Sequence, residues 1–226
     1  MATLRASSKA DSSTGTAISV AAPTGATTGD LVVCIVQANG QTTLVDNNGA
    51  TPFTEDINDY KPNTTNGHVV SVFSRVIQAS DPSTYNFTSG ASGRWSIVAI
   101  CWQGAHAYDV APSTGNAAND DSASTGTINA PSITTVADNS HHVTFCCWDT
   151  AATGTITTPV GYTLLQNANS GGEPLHASYK NITPAGATGA TTHLNTEFGA
   201  MIAMSFSVKA SAAAPTVKTL AALGVG

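Results

Sequence analysis

The chain has 226 residues, 10% of them charged, and a formal net charge of −6 from eight Lys plus Arg against 14 Asp plus Glu. Ordinary soluble proteins carry roughly 25% charged residues, and here the basic residues are too few and too scattered to form the cationic stripe that displaces counterions from nucleic acid. No stretch approaches the ~20 apolar residues of a membrane helix; direct contact with nucleic acid or insertion in a membrane is therefore not expected.

Thr, Ser, Ala, Gly and Asn take the place of the missing charges. Small polar residues with β-branched Thr suit strand faces and tight turns, and suit long helices badly. Aromatics make up only 6%, so the core is expected to consist mainly of Val, Ile, Leu and Ala. The length suffices for one large sandwich or two small domains with a self-sufficient core.

In chain order, residues 1–15 are expected to form an N-terminal arm. Met1 to Ser13 is polar and lacks a hydrophobic signal core, which predicts synthesis and use without Sec-type export. Strand patterns then recur: Thr16 to Ala21, Leu31 to Gln37, His68 to Val76, Tyr85 to Thr88 and Trp95 to Trp102. Further on come Gly126 to Asn129, His142 to Trp148, Leu175 to Lys180, Thr191 to Asn195 and Met201 to Val208. Leu31 to Val36 is apolar at both parities, the mark of a central strand covered on both faces. His68 to Arg75 alternates only partly, which predicts a half-exposed strand with Ser71 and Arg75 toward solvent. Helical spacing is absent except around Leu220 to Leu223.

The pattern occurs twice. Residues 29–105 and 138–210 present the same order of apolar runs and turns, joined by a connection, 106–137. The stretch Tyr108 to Ser124 within it reads as a surface loop or contact arm. The expected fold is all-β: a jelly-roll-like β-sandwich over residues 16–210, built from two pseudo-repeated halves packed face to face, with extended termini. Residues 211–226 form a C-terminal arm. Its Pro215, Val217, Leu220 and Leu223 are the candidate partner-binding residues, lying as an extended segment against a neighbour.

Local chemistry is sparse. No phosphate loop, G-x-S-x-G elbow or H-E-x-x-H is present. His141 and His142 are adjacent on a strand and point to opposite faces, a poor basis for shared metal ligation. Asp120 and Asp121 with Asn116 and Asn119 offer oxygens without the spacing of a calcium loop. Asp11, Glu55, Asp56, Asp59 and Glu173 are dispersed, and nothing selects a catalytic pair from them. Cys34, Cys101, Cys146 and Cys147 sit in apolar runs and read as small buried hydrophobes rather than a disulfide framework. Trp95, Trp102 and Trp148 bracket apolar strands, which favours packing over sugar stacking. Neither catalysis nor a cofactor or metal is expected.

Gly29-Asp30-Leu31-Val32-Val33, Phe73-Ser74-Arg75-Val76, Asp81 to Thr88 (DPSTYNFT) and Ala91 to Val98 (ASGRWSIV) together resemble a family of bacteriophage virion-associated proteins, also seen in bacterial genomes. The second half echoes the pattern in Pro159-Val160-Gly161-Tyr162-Thr163 and Pro184 to Gly189. The similarity covers residues 16–210, and its motifs are turns and strands, specific for fold rather than task. A departure is Ala50-Thr51-Pro52-Phe53, where that family has a Gly-Trp turn. The resemblance implies a non-enzymatic virion structural protein of a tailed phage, made in the host cytoplasm. It leaves head or tail open, and the role expected first is a capsid decoration protein on the outer surface of the head. Its partners would be the major capsid protein and further copies of itself, as a trimer or dimer. The alternative is a tail or fibre module that binds host surface glycans.

Overall fold

The computed structural model describes residues 3–39, 43–60, 68–104, 107–120, 126–149, 156–169, 173–196 and 199–209. Among them the regular structure is strand apart from one short 3-10 turn. The strands of the first half are β1 (Thr3–Ser12), β2 (Ala17–Ala21), β3 (Leu31–Asn39), β4 (Leu44–Asp46), β5 (Thr54–Tyr60), β6 (His68–Val76), β7 (Thr84–Ser89) and β8 (Trp95–Gln103). Those of the second are β9 (Ala107–Val110), β10 (Ala117–Asp120), β11 (Thr127–Ala130), β12 (Ser140–Asp149), β13 (Ile156–Thr157), β14 (Thr163–Ala168), β15 (Leu175–Ile182), β16 (Thr191–Asn195) and β17 (Ala200–Lys209).

They form four antiparallel sheets. The first half contributes a large sheet, β1-β8-β3-β6-β5, and a small one, β2-β7-β4; the second contributes β10-β17-β12-β15-β14, with β9 also on β17, and β11-β16-β13. Side-chain packing stacks them in layers. Leu31, Val33, Ile35, Ile100 and Trp102 meet Val143, Phe145, Met204, Phe206 and Val208 between the two large sheets. On its other face the first large sheet packs Val32, Cys34, Val36 and Phe73 against Ile18, Val20, Tyr85 and Phe87 of its small sheet. The second does the same with Cys146, Trp148, Met201 and Ala203 against Ile128 and Ala130. Both large sheets are thus covered on both faces, which is why β3 and β12 are apolar or uncharged at both parities and buried along nearly their whole length.

The two halves share one strand order, β1-β8-β3-β6-β5 over β2-β7-β4 answering β10-β17-β12-β15-β14 over β11-β16-β13. The register carries the correspondence to single positions. Leu31 pairs with Val76 and Trp102, and His141 pairs with Asn181 and Val208. Two residues earlier in each half the backbone enters the left-handed region, at Gly29 (φ 92°) and Asn139 (φ 59°). Gly and Asn are the residues that tolerate that turn.

Polar contacts close the central layer. Gln37 Nε2 donates to the Trp148 carbonyl at 2.8 Å, and Trp102 Nε1 donates to His141 Nδ1 at 3.1 Å. Tyr108 donates to Asp56 Oδ2 at 2.7 Å, and Ser7 Oγ to the Leu165 carbonyl at 3.0 Å.

The ten strands expected from the sequence are present, and three expectations are corrected. The N-terminal segment is no arm: Thr3–Ser12 pairs along β8 from Gln103 to Trp95. The stretch Tyr108 to Ser124, where it is described, is not a plain surface loop, since it carries β9 and β10 in register with β17. Strand β6 is not half-exposed; Ser71 is 0% and Arg75 7% exposed. Arg75 tolerates burial because it pairs with Asp81, donates to the Thr51 carbonyl and lies 5.2 Å from the Phe53 ring centroid. The Ser71 hydroxyl accepts from the Asp59 amide at 2.9 Å.

Candidate functional site

Position-by-position comparison of the halves locates the site. The outer core of the first half is aromatic: Phe53 lies edge-on to Tyr85 with centroids 5.1 Å apart, and Phe73 and Phe87 lie 4.9 Å apart. Through the registers of β5 with β6, β14 with β15, β2 with β7 and β11 with β16, the corresponding residues are Tyr162, Thr191, Ser178 and His193. Val32 is answered by His142 and Ser71 by His176. The second half therefore keeps the backbone plan and makes its outer layer more polar, with Thr and Ser in place of two rings and His at three positions.

The cation is kept and its partner is not. Arg75 corresponds to Lys180, and each lies over the ring that follows the turn, with Lys180 Nζ 4.8 Å from the Tyr162 centroid. The loop after β6 supplies Asp81 to Arg75. The loop after β15, Thr183 to Ala190, contains no acid. Lys180 donates to the Thr188 carbonyl at 3.3 Å and takes no part in the ion pairs of the described residues.

A pocket of about 340 Å³ opens at the edge where β13 and the start of β16 meet Lys180 of β15, lined by Thr157, Thr158, Pro159, Tyr162, Lys180, Thr191, Thr192 and Leu194 among others. Its walls are hydroxyls and one ammonium over a rim of exposed apolar side chains, Val160 and Leu194.

Behind the wall lies a buried histidine layer. The Tyr162 hydroxyl is 2.7 Å from His142 Nδ1 and 2.9 Å from Thr191 Oγ1. Thr144 Oγ1 is 2.8 Å from His193 Nε2, and Thr158 Oγ1 is 3.2 Å from His176 Nε2. The second nitrogens, His142 Nε2, His176 Nδ1 and His193 Nδ1, have no hydrogen-bond partner among the described residues. Burial disfavours the imidazolium form, holding His142 and His176 near pKa about 4 and His193 near about 3. Lys180 adds to this at His142, and the other two histidines add to it at His193. The rings are neutral at pH 7.

The other candidates fall as follows. Pro215, Val217, Leu220 and Leu223 lie outside the described residues. His141 turns to the central layer, stacked 5.0 Å from Tyr179, while His142 faces the outer one. Asn119 and Asp120 sit on β10, the Asn116 amide donates to the Ala111 carbonyl at 3.2 Å, and Asp121 lies outside the described residues. Asp59 accepts from the Leu44 amide, Asp56 from Tyr108, and Glu173 is buried beside Arg94. Among the described residues no group of three or more His, Cys, Asp or Glu is arranged to hold a metal.

All four cysteines are free and buried, with Cys146 and Cys147 on opposite faces of β12. Burial raises each thiol pKa, that of Cys101 to about 12, the nearby Asp30 carboxylate adding to it there. Trp95, Trp102 and Trp148 are each 0% exposed, so none offers a face for sugar stacking. The pocket itself was not legible from one strand at a time. Its signal is the exchange of Tyr85 for Thr191 and of Arg75 for Lys180, visible only once the halves are aligned by register.

Compared with protein-family models, with curated proteins and with solved structures, the chain matches none.

Proposed function

We propose that this chain is a non-enzymatic structural protein of a tailed-phage virion, a decoration protein that stabilises the head by binding the lattice of the major capsid protein. The observation that carries the reading is where the family-like motif residues stand. Asp30 accepts from Arg5 at 2.6 Å and from the Thr27 amide at 2.9 Å, fixing the turn into β3. Tyr85 and Phe87 of the Pro-Ser-Thr-Tyr-Asn-Phe-Thr segment fill the outer core. Arg94 reaches Glu173 in the other half, and Trp95 donates to the Gly15 carbonyl at 2.9 Å. These residues build the body, as a protein whose task is to be a rigid block requires. The strand order β1-β8-β3-β6 opposite β2-β7-β4 supports reading each half as a jelly roll.

A decoration protein opposes the outward pressure of packed genome by adding intersubunit contact, and a standard interface of ~1,600 Å² suffices for stable seating. With 10% charged residues the contact would be weakly salt-dependent. The test is to mix the purified chain with heads stripped of it and follow cosedimentation. Saturable binding at a fixed stoichiometry, little changed from low to high salt, supports the reading. Failure to bind heads rejects it.

A further inference from the structure

The pocket of the second half combines features that a merely underpacked sheet interface would not. Where the first half sets Tyr85 in its outer core, the second sets Thr191 in the wall of an open pocket of about 340 Å³. Its one ammonium, Lys180, has lost the acid that its counterpart Arg75 holds in Asp81. Thr157 and Thr192 on exposed strand positions and Thr158 at the wall add hydroxyls around it. Val160, wholly exposed, and Leu194, 49% exposed, give the mouth an apolar lip.

Lys180 pairs with no carboxylate among the described residues, and such an ammonium is complementary to a ligand carboxylate, since a charge-assisted hydrogen bond exceeds a neutral one in strength. Threonine hydroxyls both donate and accept, so they match hydroxyl groups placed around a ring. The apolar lip suits the C–H face of such a ring. The volume lies at the lower end for small-molecule sites, about 300–1,000 Å³. We propose that this pocket binds an acidic sugar, a pyranose whose carboxylate pairs with Lys180 and whose hydroxyls meet Thr157, Thr158 and Thr192. Tyr162, tied to His142 and Thr191, is a positioning residue: it supports the Lys180 stem from below and holds the pocket floor. The site is independent of where the protein sits on a particle, so it goes beyond the virion reading and stands or falls separately.

The experiment is titration of the full chain, ¹⁵N-labelled, with glucuronate, galacturonate and N-acetylneuraminate, and in parallel with glucose and acetate, following amide shifts. Saturable shifts confined to the β13–β14 turn, Lys180 and the start of β16 are expected with at least one acidic sugar. Glucose and acetate should bind at least about tenfold more weakly, each lacking one half of the recognition. Lys180→Met keeps the aliphatic cover on Tyr162 and should weaken binding by about tenfold or more. Ala190→Phe, at an exposed lining position, should block the pocket with the cation in place. Absence of saturable shifts with all three acidic sugars, acetate binding as well as they do, or both variants binding like the parent would each overturn the proposal.

Discussion

Arg94, on the first half, places its guanidinium 2.6 Å from Oε1 of Glu173, on the second, and the Glu173 side chain is wholly buried. The same guanidinium lies 3.5 Å from Asp149, which also accepts from Asn39 across the layer. One cation therefore serves two carboxylates at one end of the central interface. Burial raises the Asp149 pKa and Arg94 opposes that rise.

Arg94→Met should accordingly destabilise the protein at pH 7 by about 2–3 kcal/mol. This is less than the ~3–5 of a fully enclosed pair, because a quarter of the Arg94 side chain reaches solvent. The gap between variant and parent should narrow toward pH 5, as the carboxylates that Arg94 faced take up protons. Urea melts at both pH values measure it; an equal gap at both would show that the ion pairs are not the cause.

The histidine layer predicts acid sensitivity. The folded pKa values of His142, His176 and His193, about 4, about 4 and about 3, lie below the unfolded value of 6.5. Between those limits the unfolded chain binds more protons, so stability is fully present above pH 6.5 and is lost as pH falls toward 4. Each residue contributes a slope of about 1.4 kcal/mol per pH unit inside the window. His68, held near about 4 by burial in the first half, acts in the same sense. His193→Phe, which installs the first-half residue, should move the acid midpoint downward. An unchanged midpoint would mean that the buried rings do not drive the transition.

Exchange in the other direction should be costly. Phe73→Ser gives the first half the residue found at position 178, but without the surrounding hydroxyls and imidazoles. It removes a ring 4.9 Å from Phe87 and 1% exposed. A loss of about 3–5 kcal/mol is expected from the cavity, read from denaturant midpoints. A loss below about 1 kcal/mol would indicate that the two outer layers are interchangeable.

The thiols should be silent in the native state. Cys34, Cys101, Cys146 and Cys147 are wholly buried with raised pKa values, and the thiolate is the reactive form. An alkylating reagent at pH 8 should modify none of the four until denaturant unfolds the chain. Rapid native labelling of any of them would contradict the packing described.

Strong strands were legible because burial on both faces writes itself as continuous apolar runs, as in Leu31 to Val36. Edge and connecting strands were not. In Thr3–Ser12 the pairing with β8 is made by the backbone and the side chains are at most half-buried, so the run carries no apolar signature. Strand β10, Ala117–Asp120, is likewise recruited by β17 rather than by its own composition. The buried state of Arg75 depends on Asp81 and Phe53, contacts that local alternation does not encode. The pocket was hidden for a related reason: Thr191 and Lys180 are unremarkable strand residues until register sets them against Tyr85 and Arg75.

The most direct test of the virion reading is copy number. Phage particles purified from a host that expresses this chain would be analysed by quantitative mass spectrometry against their major capsid protein. The account predicts a ratio near one, as decoration across the shell requires. A few to a few dozen copies per particle would contradict it and place the protein on the tail or fibres.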